Sequence, residues 1–162
     1  MYFILIIIVI FVLFKIFKGR SESKSFEVDE NPYQIRFSVM SKSEEAFFLE
    51  LTRVLPDDFY LFPKVRIADI LKTQDGPGYY VSRNKILPKH VDFLICNSQF
   101  RPQMAIEING ISHNRLKTIE SDKLKKQIFE EVGFPLRVVK IGESFSGVIQ
   151  EIIASLNNLP IP

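Results

Sequence analysis

Two carboxylates stand where carboxylates are costly. Asp92 interrupts the apolar run His90-Val91-Asp92-Phe93-Leu94-Ile95, and Glu107 interrupts Ala105-Ile106-Glu107-Ile108; both runs read as buried β-strands. A buried charge needs a partner or a cation. Two acids from neighbouring strands cannot pair with each other, so the economical arrangement is a divalent metal held between them, with Asp92 and Glu107 as its ligands. The chemistry this points to is metal-assisted hydrolysis. The competing reading is an ordinary strand acid facing solvent, because each carboxylate alternates with apolar neighbours.

The elements that must position these residues follow from patterning. Ser41-Lys42-Ser43-Glu44 has the form of a capping box, and Phe47, Phe48, Leu51, Val54 and Leu55 recur at helical spacing up to Pro56. Glu44 is therefore a capping partner as well as a candidate site acid. Residues 59–67 resemble a strand broken at Pro63, residues 68–71 a helical turn, and residues 74–88, around Asp-Gly-Pro-Gly, a loop. The two acid-bearing strands, 91–96 and 103–108, are joined by a short polar turn at Asn97-Ser98-Gln99, which predicts an antiparallel hairpin. A helix over 119–132 stopping at Gly133, a strand over 136–141 and a helix over 145–156 complete the chain. A three-stranded meander followed by a crossover helix and a further strand predicts an α/β fold with a mixed sheet flanked by helices.

Lys125 falls at about 100° on the helical wheel when Leu124 is set to zero, inside the apolar arc formed with Ile128, Val132 and Phe129. A lysine there either snorkels along the core or reaches over the sheet toward the carboxylates and supplies a positive charge. Asp122 reads as an acid near the start of the same helix. His113, beyond the second acidic strand, is a candidate to carry a proton, contact phosphate or bind metal.

Residues 1–14 are apolar apart from Tyr2, and Lys15, Lys18 and Arg20 follow. This run is shorter than the roughly 20 residues of a full span, but snorkelling lysines extend it, so residues 1–18 are read as one transmembrane helix. The positive charges after it predict a single-pass membrane protein with its C-terminal domain in the cytoplasm. Residues 19–34 form a polar tether and 35–162 the domain. A net charge of +2 is too small to argue for nucleic acid on its own, and the single cysteine, Cys96, has no partner for an intramolecular disulfide.

With these residues in place the chain resembles the PD-(D/E)xK nuclease superfamily, in the branch similar to very-short-patch-repair endonucleases, and more closely the domain of unknown function 2726 family. The resemblance is carried by Ser41-Lys42-Ser43-Glu44 with Phe47-Phe48, by Phe62-Pro63-Lys64-Val65-Arg66-Ile67-Ala68-Asp69, by Lys89-His90-Val91-Asp92-Phe93, by Ala105-Ile106-Glu107-Ile108-Asn109-Gly110 with Ser112-His113, and by Asp122 followed by Gly133-Phe134-Pro135-Leu136-Arg137. It implies a restriction-endonuclease-like core (αβββαβ) and Mg2+-dependent phosphodiester cleavage of DNA or RNA by a hydrolase site at Asp92 and Glu107. The superfamily pattern places a lysine two residues after the second acid, where this chain has Asn109; the closer branch often has Asp there, then Gly and a later His, which Gly110 and His113 match. The implied partner is nucleic acid, with Lys64, Arg66, Arg83, Lys85, Lys89, Arg115 and Lys117 as candidates to hold the phosphate backbone. The departure at Asn109 keeps open a second expectation, a nuclease-fold module that binds nucleic acid or protein at the membrane without chemistry.

Overall fold

A computed structural model of the chain describes residues 11, 15, 33–108, 116–140 and 142–158, and the side chains of residues 116–121 are left aside. The chain divides into two units, residues 1–37 and 38–162. In the first, Tyr33, Ile35 and Phe37 are fully or nearly fully exposed. The expected membrane helix, apart from Phe11 and Lys15, and the tether up to residue 32 lie outside the described residues. Among the described residues no helix is long and apolar enough to cross a membrane.

The second unit is a four-stranded mixed sheet with helices on both faces. Its elements run α1 (Lys42–Val54), β1 (Phe59–Arg66), α2 (Ile67–Ile70), α3 (Tyr79–Ile86), β2 (His90–Asn97), β3 (Pro102–Ile108), α4 (Leu116–Glu131), β4 (Leu136–Val139) and α5 (Phe145–Asn157). The strand order is β1-β2-β3-β4. The first three strands pair antiparallel and β4 joins β3 in parallel, as the meander followed by a crossover helix requires.

The sheet is covered on both sides. One layer seats Phe47 and Leu51 of α1 and Val148, Ile149, Ile152 and Leu156 of α5 against Phe93, Ile95 and Ile106. The other sets Phe129 of α4, with Ile67 and Ile86, against Leu94, Cys96 and Ala105. Alternate residues of β2 and β3 thus serve opposite layers, and β2 is buried from Val91 to Asn97 because it lies inside the sheet with both faces covered.

Two sequence expectations are corrected. β1 is not broken at Pro63: pairing with β2 continues from Phe59↔Asn97 to Arg66↔His90. Proline is tolerated because β1 is an edge strand, and the irregularity falls instead on Lys64, a non-glycine residue at φ 55°. The stretch 74–88 is not wholly loop, since α3 occupies Tyr79–Ile86 and begins after Gly78 at φ 87°. Only Ile86 of that helix is buried, so its sequence carries little helical apolar period.

Candidate functional site

Continuing the β2–β3 register from Phe93↔Ile106 by one step sets Asp92 opposite Glu107. Directly opposed residues of antiparallel strands share a face with Cβ atoms about 5 Å apart. Alternation puts Glu107 on the α4 side, since Ile106 and Ile108 pack into the α1/α5 layer while Ala105 lies under α4, and Asp92 stands where β2 passes from Val91 in the α4 layer to Phe93 in the α1/α5 layer. Asp92 is 6% exposed, which sets aside the reading of a solvent-facing strand acid.

Each carboxylate is matched by a lysine from a different element. Lys64 Nζ of β1 lies 2.8 Å from Asp92 Oδ1 and 3.0 Å from Glu44 Oε1. Asp92 Oδ2 accepts the backbone N–H of Ile108 at 2.8 Å, which fixes the carboxylate across the hairpin. Lys125 of α4 is ion-paired with Glu107 and lies 3.4 Å from Asp122 Oδ1. Lys125 is itself buried, so the position on the apolar arc is one from which the ammonium reaches the sheet rather than snorkelling to water.

Glu44 serves two ends at once. Ser41 and Glu44 form the capping box that starts α1, with Glu44 Oε2 accepting the Ser41 N–H at 2.9 Å. Its other oxygen receives Lys64. The helix start is thereby tied to the acids on the sheet.

The electrostatics follow from this packing. Burial raises the Glu107 carboxyl above its ordinary range; the Lys125 ammonium opposes that, and the charges of Asp92 and Asp122 add to it. Burial works against the charge on Lys64, but the Asp92 and Glu44 carboxylates outweigh it and the ammonium holds its proton more tightly than usual. His90 is pushed below its ordinary value by burial and by the nearby Lys64 charge, so it favours the neutral imidazole. Glu44, Asp92, Glu107 and Asp122 against Lys64 and Lys125 leave a formal charge of two negatives in the cluster.

Of the residues singled out from sequence, the structure brings together Glu44, Asp92, Glu107, Asp122 and Lys125. Asn109 and His113, with Arg115, lie outside the described residues; β3 ends at Ile108, just before them. Lys64 was expected only as a phosphate contact, yet it joins two of the acids. Its link to Asp92 follows from the β1–β2 register, in which Lys64 falls between Pro63↔Phe93 and Val65↔Val91. Arg66, another phosphate candidate, is committed to Asp69 at 2.9 and 3.0 Å.

Comparison with known proteins bears on the whole domain. Residues 36–159 match the family described as "Protein of unknown function (DUF2726)". A Haemophilus influenzae relative, described as an uncharacterized protein, is 29% identical over 101 residues, covering 60% of this chain and 51% of the relative. The chain therefore spans about half the length of that curated relative. No solved structure matches. With its matched region running from just before α1 to the end of α5, the chain belongs to the DUF2726 family.

Proposed function

We propose that the domain is a nuclease-like hydrolase that cleaves DNA or RNA phosphodiesters with Mg2+ held by Asp92 and Glu107, and that residues 1–18 anchor it to the cytoplasmic face of a membrane. The observation that carries this reading is the pair of opposed carboxylates on β2 and β3, Asp92 buried and Glu107 nearly so, each ion-paired to a lysine from another element. The resemblance to the PD-(D/E)xK superfamily supports it.

The donor set fits the ion. Mg2+ takes hard oxygen ligands, commonly one or two carboxylates, and fills its remaining positions with water and substrate phosphate. The surplus of two negative charges suits a divalent cation. When bound, the ion would polarise the phosphate and lower the pKa of an attacking water.

The chain's own residues do the rest. Lys125 keeps Glu107 ionised against the burial that would protonate it. Lys64 and the Ile108 N–H fix the two oxygens of Asp92, and Lys64 ties that carboxylate to the start of α1 through Glu44. A substrate phosphate at the acids would meet the Lys125 ammonium, a preformed positive charge that favours a more negative transition state. By the resemblance, Asn109 would offer a neutral oxygen donor and His113 would carry a proton, contact phosphate or bind the metal.

One observation favours a second reading. Both acids already have ammonium partners, and the lysine of the superfamily pattern is replaced by Asn109, which suits a module that binds nucleic acid or protein without chemistry. The test is cleavage of labelled DNA and RNA by the full chain in detergent with Mg2+ or Mn2+, alongside calorimetric titration of the metal. The hydrolase predicts cleavage that Asp92→Ala and Glu107→Ala each reduce to background. No ion uptake and no cleavage would leave the binding module.

A further inference from the structure

Along β1, Phe59 and Leu61 pack against the α1/α5 layer, so Tyr60 and Phe62 face the opposite side, the side of Glu107. Tyr60 pairs across to Cys96 and Phe62 to Leu94, both buried beneath the α4 layer, but the edge strand itself is left uncovered. Tyr60 is 43% and Phe62 36% exposed. Over them lies Phe100 from the β2–β3 turn, 65% exposed, with its ring stacked on Tyr60 at 5.1 Å and 9° and tilted toward Phe62 at 6.3 Å.

Phe100 is held there at a backbone cost. Its φ of 59° is an uncommon conformation for a bulky residue. The turn is fastened by Asn97, whose side-chain oxygen accepts the N–H groups of Gln99 at 3.1 Å and Arg101 at 2.9 Å. The hairpin turn calls for a left-handed residue at this position, where Gly or Asn would serve a mere connection better than phenylalanine, and an aromatic ring with nothing to cover would be better buried. The strip leads to the site: at about 3.3 Å per residue, Phe62 is about 7 Å and Tyr60 about 13 Å along the strand from Lys64.

We infer that Tyr60, Phe62 and Phe100 form a ledge on which bases of a single-stranded nucleic acid stack as its backbone crosses the Asp92–Glu107 site. This rests on the nuclease reading and names its substrate class. Exposed aromatic rings beside a charged site are the usual platform for unpaired bases, since every base has a face to offer and a duplex hides it. Arg101, exposed next to Phe100, adds positive charge at the far end of the ledge. A protein strand is a poorer occupant of this edge, because Pro63 offers no N–H and the left-handed Lys64 kinks the line of pairing groups.

The chain contains no Trp, so Tyr60→Trp installs a sole indole whose emission reports a stacked base. With the full chain in detergent and Ca2+ in place of Mg2+, a labelled single-stranded oligonucleotide should bind more tightly than its duplex and quench that indole. Tyr60→Ala and Phe100→Ala should each weaken binding about ten-fold or more, while Tyr60→Phe retains it. Unchanged affinity in both alanine variants, an unquenched indole, or a preference for duplex overturns the ledge. The quenching does not depend on the alanine variants folding. A chain that quenches but never cleaves keeps the ledge and loses the hydrolase; one that cleaves without quenching keeps the hydrolase and loses the ledge.

Discussion

Replacing Lys125 with methionine removes an ammonium from between Glu107 and Asp122 and keeps most of the stem that packs beneath α4. The side chains of Lys125 and Glu107 are 10% and 15% exposed, so the carboxylate is left desolvated and facing Asp92. Breaking a buried pair of this kind costs about 3–5 kcal/mol if the remaining charge stays. Protonation sets the ceiling. Holding a carboxyl of ordinary pKa 4.5 neutral at pH 7 costs about 3.4 kcal/mol, and less here because burial already raises Glu107. The expected loss at pH 7 is therefore about 2–3 kcal/mol. It has a pH signature, because a carboxyl whose folded pKa lies above its unfolded one takes up protons on folding, and stability then falls as pH rises from 4.5 through the folded value. Without Lys125 that window extends upward, so the gap between wild type and variant should grow by up to about 1.4 kcal/mol per pH unit and close on acidification toward pH 4.5. Urea unfolding of both proteins in detergent at several pH values measures it. Mg2+ at about 100 times its Kd should add about 2.7 kcal/mol to whichever protein binds it. A gap of constant size across that range, or none at neutral pH, would refute the account of Glu107 as a buried carboxylate held ionised by Lys125.

Lys64 predicts a signature at the other end of the scale. Its folded pKa lies above 10.5, so the stability it contributes is whole below that value and is lost as pH rises through the folded one; wild type should show this alkaline decline and Lys64→Met should not. In the core, Phe47 is fully buried, stacks on Phe93 at 5.8 Å and meets Phe145 edge-on at 5.2 Å. Phe47→Ala should cost about 3–5 kcal/mol and lower the urea midpoint accordingly, with full stability in the variant counting against this packing.

Much of this was legible in the sequence for particular physical reasons. Ser41 and Glu44 announce a helix start because their reciprocal hydrogen bonds depend only on local spacing. Asp92 and Glu107 stand out because an acid inside an apolar run is rare whatever surrounds it, and Lys125 because a helical wheel needs no tertiary information. What stayed hidden depends on contacts across the fold. The part played by Lys64 requires the β1–β2 register and a left-handed residue inside a strand, neither written locally. The helix Tyr79–Ile86 was masked by the Gly-Pro-Gly signals before it and by having a single buried residue. The stacking of Phe100 on Tyr60 joins residues from opposite ends of a hairpin pair.

Lys64 also bears on why the cluster exists. Fold stability alone gives little reason to keep these acids and lysines together, since well-packed apolar residues replace a buried ion pair at no loss and often at a gain. A lysine at φ 55° within a strand adds a backbone cost of about 1–2 kcal/mol. A left-handed lysine, a buried ammonium and opposed carboxylates each break a local rule of folding, and here Lys64, Lys125, Asp92 and Glu107 fall at one end of the β1–β2–β3 meander. The second left-handed non-glycine residue, Phe100, presents the exposed ring at the other end of the same edge. Among the described residues these are the two non-glycine positions with positive φ, one on the β1 edge and the other with its ring stacked on that strand. Strain that persists at such places is held by the surrounding structure, and its concentration along one surface is what a site, rather than a core, requires.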